Sequence, residues 1–122
     1  MTRPVEFERV VIGDRDVVLC EQCAIADTAT RRLKGLLGRK ELRAGEGLLI
    51  RPAAAIHTAF MQFPIDVVFL DRDLRVVGVE PELRPWRTAA RRGARAVLEL
   101  AAGECSRAGL RFGDSLRFAD GR

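Results

Sequence analysis

No run in this chain approaches the roughly 20 apolar residues that a bilayer-spanning helix needs, and its longest hydrophobic stretches are strand-length. A secretory signal is not expected either. Met1-Thr2-Arg3-Pro4-Val5-Glu6-Phe7-Glu8-Arg9 carries charges where such a signal has an apolar core, so export by that route is not expected and the cytoplasm is the expected location. Lysine is nearly absent, at Lys34 and Lys40 alone, and arginine supplies the rest of the basic charge. Histidine and tryptophan occur once each, at His57 and Trp86. There is no Walker loop, Gly-x-Gly-x-x-Gly, Gly-x-Ser-x-Gly elbow or His-Glu-x-x-His pair. Gly45-x-Gly47 and Gly109-x-x-x-Gly113 have the wrong spacing to cradle a phosphate, so no nucleotide site is expected. A Ser-His-Asp triad would have to use Ser106 or Ser115 as nucleophile, and neither sits in a supporting context.

What remains reads as globular. The 122 residues are the size of one domain, 1–122, with room for a core that needs no disulfide or metal staple. Hydrophobic residues make up 48% and charged residues 31%, which excludes a long disordered block. The net charge of +4 and the pI near 9.6 raise the possibility of a nucleic-acid partner. Seventeen acids interspersed among the bases argue against it. The exception is the basic segment 84–95, with Arg84-Pro85-Trp86-Arg87, Arg91-Arg92 and Arg95, where contact with nucleic acid or phosphate is an alternative to a solvated loop face.

Short strand signals dominate the chain. Val10-Val11-Ile12 and Asp16 to Cys20 are β-branched runs separated by Gly13-Asp14-Arg15. A helix is predicted over 28–37, because Asp27 or Thr28 can cap it, Leu33, Leu36 and Leu37 form an apolar stripe, and Gly38 can end it. Leu48-Leu49-Ile50 is a short buried strand. Pro64, which lacks an amide donor, suits the start of a strand. Ile65 to Leu70 and Leu74 to Val79 form a hairpin around Asp71-Arg72-Asp73. Ala96 to Ala101 and Ser115 to Phe118 complete the set, with one helical turn over 103–108. This pattern predicts a mainly β fold, a single-domain β-sandwich or partly closed, jelly-roll-like barrel with one short α-helix near 28–37.

Five motifs in order carry a family resemblance: Leu33-Lys34-Gly35-Leu36-Leu37-Gly38-Arg39, Gly45-Glu46-Gly47-Leu48-Leu49, Phe60-Met61 with Pro64-Ile65-Asp66, Val97-Leu98-Glu99-Leu100-Ala101-Ala102-Gly103, and Gly109-Leu110-Arg111-Phe112-Gly113-Asp114. Over about residues 16–118 the chain resembles the domain of unknown function 192 family. The resemblance implies a compact, mainly β domain of bacteria and archaea, often exported or membrane-tethered, with no established reaction. Two features depart from that pattern. Many members carry a Trp-Met-Lys-Asn stretch before Pro-Leu-Asp, whereas here the segment is shorter and begins His57-Thr58, and no export signal is expected.

The candidate chemistry is sparse. His57 could act as acid, base or ligand near neutral pH. Asp66 and Glu99 interrupt apolar strands, and strand alternation places Glu99 with Val97 and Ala101, opposite Leu98 and Leu100. Pairing with Arg39 or another arginine is the structural expectation for both acids, since buried charge is normally paired. A hydrolase-like or metal site would need His57, Asp66 and Glu99 to meet in one pocket. Cys20-Glu21-Gln22-Cys23 is half a zinc site or a dithiol, and the other ligand candidates, Cys105 and His57, are distant, so no cofactor is predicted and zinc is the alternative. The leading expectation is a noncatalytic binding or accessory module, monomeric or weakly dimeric and not inserted in a membrane. Its face around Arg39, His57, Trp86 and Arg87 would engage a peptide, protein or small ligand.

Overall fold

The computed structural model describes residues 7–26, 42–59 and 61–119. The elements in chain order are β1 (Phe7–Ile12), β2 (Val17–Ala26), β3 (Glu46–Ile50), β4 (Ala55–His57), β5 (Ile65–Leu70), β6 (Val76–Leu83), β7 (Thr88–Ala90), β8 (Ala96–Ala101), helix α1 (Glu104–Ala108) and β9 (Leu116–Ala119). Seven strands form one sheet in the order β6-β5-β8-β3-β2-β1-β9, and β4 pairs with β7 in a second, two-stranded sheet. All pairs are antiparallel except β2 with β3.

The large sheet is buried on both faces at its centre, which is why β5 and β8 read as apolar runs broken only by Asp66 and Glu99. Alternation divides their side chains between two cores. Leu49, Val68, Leu70, Ala96, Leu98 and Leu100 join Val10, Ile12, Val76 and Leu116 from the outer strands. Leu48, Ile50, Val67, Phe69 and Val97 face the other way and meet Leu42, Ile56, Met61 and Phe63. Residues from strands at both edges contribute to the first core, so the sheet curls around it as a half-barrel. Helix α1 caps that core through Cys105 and Ala108. The β4–β7 pair lies over the second core through Ile56 and Ala89.

The two edges of the curled sheet meet at one end. Arg75 bridges Ser115, the Val76 amide donates to the Asp114 carbonyl (2.8 Å), and the Leu116 amide donates to the Leu74 carbonyl (2.9 Å). Asp114 secures this corner, accepting from the Arg111 amide (2.8 Å) and pairing with Arg15 of the β1–β2 turn (2.9 Å).

The mainly β, partly closed barrel follows the sequence reading, and β5 and β8 occupy the expected ranges. Other boundaries differ for physical reasons. β2 runs on past Cys20 to Ala26, because a bulge absorbs its polar stretch. Between Cys20 and Cys23 it advances three residues while β1 advances two, so Glu21 and Gln22 turn outward. β6 begins at Val76, since Leu74 takes a left-handed φ of 61° within the hairpin turn. The 28–37 helix and Arg39 lie outside the described residues. The turn expected at 103–108 is α1.

Candidate functional site

The segment that stood out in sequence is organised by Thr58. This side chain is fully buried between β4 and the loop entering β7. Its hydroxyl donates to the Arg84 carbonyl (2.6 Å) and accepts from the Arg87 amide (2.9 Å). Its backbone amide donates to the Arg87 carbonyl (2.8 Å), and its carbonyl accepts from the Trp86 amide (3.0 Å). Four hydrogen bonds from one residue thus fix the 84–87 turn. Trp86 sits in that turn at φ 63°, a left-handed conformation that costs a non-glycine residue about 1 kcal/mol or more. Its side chain is 60% exposed. The local fold therefore holds the one tryptophan out in solvent against its own backbone preference.

His57 and Thr88 face each other across β4 and β7, as do Ala55 and Ala90. All four are exposed, whereas Ile56 and the half-buried Ala89 turn inward. Together these six residues line an open depression of about 390 Å³. Arg84, Arg87, Arg92 and Arg95 are exposed around it in sequence. Arg91 is engaged elsewhere. Its guanidinium lies 5.7 Å from the Phe69 ring centroid and 3.8 Å from Glu80, across Gly78, whose missing side chain makes the passage possible.

Asp66 has a different part. It is fully buried, and it accepts from two backbone amides, Glu82 at 2.9 Å on one oxygen and Cys105 at 2.9 Å on the other. Cys105 is in the first turn of α1, whose N-cap residue Gly103 provides no side-chain acceptor. The carboxylate thus caps the helix from a neighbouring strand, an N-terminal site that suits negative charge. This corrects the expectation of an arginine partner for Asp66: backbone amides satisfy it. Glu99 is also fully buried and sits opposite Val67 and Leu48. Those neighbours belong to the second core, as do Val97 and Ala101 beside it. Asp66 pairs with Leu100 and bonds α1 on the side of the first core. The sheet therefore separates the two acids, and no shared pocket forms with His57 on β4.

Cys20 and Cys23 are fully buried. Three residues apart in a regular strand they would face opposite ways, and the bulge returns both to the first core. The neighbouring Cys20, with burial added, pushes the Cys23 thiol far above its ordinary range. Burial and the adjacent Asp66 carboxylate do the same for Cys105. Raised thiols disfavour the thiolate that metals and redox partners require. Among the described residues no three of His, Cys, Asp and Glu gather to hold a metal. Thr58 and the capping role of Asp66 were missed in sequence. The one signal for Thr58 was its place directly after the lone histidine.

This fold and these sites define a mainly β half-barrel in which Thr58 and Asp66 serve its own architecture, with an exposed aromatic and arginines on one loop. Residues 10–118 match the family model DUF192, described as "Uncharacterized ACR", and the chain belongs to that family. It is 37% identical over 98 residues to a UPF0127 protein of Pyrococcus horikoshii, covering 77% of this chain and 84% of the relative. A UPF0127 protein of Thermococcus sibiricus is 32% identical over 97 residues, covering 75% of this chain and 62% of that one. Among solved structures, a protein of unknown function from Novosphingobium aromaticivorans superposes with a TM-score of 0.77 at 26% identity, covering 93% of this chain and 84% of its own. A candidate transcription regulator from Sinorhizobium meliloti shares the fold at a TM-score of 0.79 and 22% identity, with both chains fully covered. Among the described residues no helix is long and apolar enough to cross a membrane.

Proposed function

We propose that this chain is a noncatalytic binding module whose recognition face comprises β4, β7 and the 84–87 turn. Trp86, Arg87 and His57 are its contact residues, and its ligand is a peptide, protein or small molecule. The observation that carries the reading is the fixed display of Trp86. A large apolar ring kept 60% exposed by a buried hydroxyl and a left-handed backbone is the kind of rigid aromatic, flanked by arginines, on which interface energy concentrates. The catalytic alternative has less support, because Asp66 spends both oxygens on backbone amides and lies across the sheet from Glu99. A cytoplasmic setting fits the three free cysteines, since such thiols persist in reducing compartments.

Affinity capture from cell extract tests the reading. The wild-type chain is expected to retain a reproducible partner that the Trp86→Ala/His57→Ala double variant loses while unfolding at the same denaturant midpoint. Equal recovery by both forms would sink the proposal.

A further inference from the structure

Two hydrogen bonds set the phase of the small sheet. The Thr58 amide donates to the Arg87 carbonyl (2.8 Å), and the Arg91 amide donates to the Ala54 carbonyl (3.1 Å). In an antiparallel pair, residues alternate between turning their backbone groups toward the partner strand and away from it. Arg87, Ala89 and Arg91 therefore address β4, and Thr88 and Ala90 address the opposite side. β4 is the one strand neighbour of β7 among the described residues, and Thr88 and Ala90 are both exposed. Two N–H groups and two carbonyls thus form a short strand edge that no described strand pairs.

Charge selects what could occupy it. The segment 84–95 contains five arginines and no acid, all five exposed, and of these Arg91 is engaged with Phe69 and Glu80. Resting on the binding-module reading above, we infer that the outer edge of β7 takes an extended acidic peptide as an added strand. Thr88 and Ala90 supply its backbone hydrogen bonds, Trp86 and Arg87 lie at one end, and Arg92 lies at the other. Strand addition gives affinity through the main chain and specificity through alternate side chains. The depression beside Thr88 and Ala90, about 390 Å³, has room for such a side chain on the outer face of the β4–β7 pair. A nucleic acid fits this edge less well. Its phosphates would satisfy the arginines, but they would also face the outward carbonyls of Thr88 and Ala90, which only a donor can complement.

Trp86 is the chain's one tryptophan, so its emission reports directly on this edge. The probe is an acetylated and amidated octapeptide of alternating valine and glutamate. Its control is the same peptide N-methylated at every residue, with charge intact and donors removed. The unmodified peptide is expected to shift the emission saturably, and the methylated peptide to bind at least about tenfold more weakly. The charge-reversed pair Arg87→Glu and Arg92→Glu is expected to weaken the unmodified peptide to a similar degree. The inference is overturned if both peptides bind equally, or if neither moves the emission up to about 1 mM. It is also overturned if an oligothymidylate of equal charge binds more tightly, with affinity falling steeply in salt. If the captured partner still depends on Trp86 and His57 while the two peptides bind alike, strand addition fails and the binding module stands. If capture is indifferent to both residues, the module itself fails.

Discussion

A hydroxyl that donates and accepts at once is hard to replace, and Thr58 is such a group. Thr58→Val keeps the volume but strands the Arg84 carbonyl and the Arg87 amide in a buried site. Each unsatisfied group costs roughly 1–3 kcal/mol, so the variant is expected to lose about 2 kcal/mol or more in urea unfolding. Because the same bonds fix the turn, its tryptophan fluorescence anisotropy is also expected to fall. Thr58→Ser, which keeps the hydroxyl, is expected to restore the anisotropy. A Val variant with wild-type stability and anisotropy would show that the turn holds itself. Asp66 poses the same constraint with opposite chemistry, since both its oxygens must accept from amides of β6 and α1. The sequence showed an acid within an apolar strand and the reason it must be satisfied. It could not show that the partners were backbone amides 16 and 39 residues away.

At the scale of elements, β3 passes so close to its neighbours that a side chain at Gly47 would meet two of them at once. A Cβ on Gly47 would lie 2.8 Å from Cys20 Sγ and 2.9 Å from Leu100 Cδ2. Gly47→Ala is therefore expected to destabilise the fold by about 1–3 kcal/mol, the usual range for overpacking. Pairing it with Cys20→Ala relieves one of the two clashes, so the double variant is expected to be more stable than the sum of the single effects. Strict additivity in a chemical-denaturation cycle would count against that contact. Elements were legible where composition left one solution. Ile65 to Leu70 and Ala96 to Ala101 are apolar but for one acid each, flanked by turn residues and buried on both faces, so the strand pattern survived in the structure. β4 and β7 left no such mark. Each has three residues, alanine forms most of β7, and their pairing depends on Thr58, more than two dozen residues from Arg87. The second half of β2 was hidden because Glu21 and Gln22 break the alternation that a bulge then repairs.

The whole sheet closes through one charged corner. Burial alone would raise the Asp114 carboxyl, but the Arg111 amide and the Arg15 guanidinium outweigh it and hold the group below its ordinary range. A carboxyl depressed in the folded state adds stability above its unfolded value, near 3.9, and loses it as pH falls through the folded value. Thermal stability is thus expected to drop on acidification below about pH 4, and Asp114→Asn is expected to flatten that part of the profile while lowering stability at neutral pH. An unchanged acid limb would assign the acid sensitivity to other carboxylates. The closed corner also determines how the molecule answers mechanical load. β9 holds β1 from Arg9–Ala119 at its C-terminal end to Ile12–Leu116 beside the corner, so tension on the C-terminal end loads these rungs in turn. The Arg75–Ser115 bridge and the Val76 and Leu116 amide bonds stand at the far end of that peel. Pulled from its tail, the half-barrel is therefore expected to unzip along β9 toward that corner before the edge of β6 is freed.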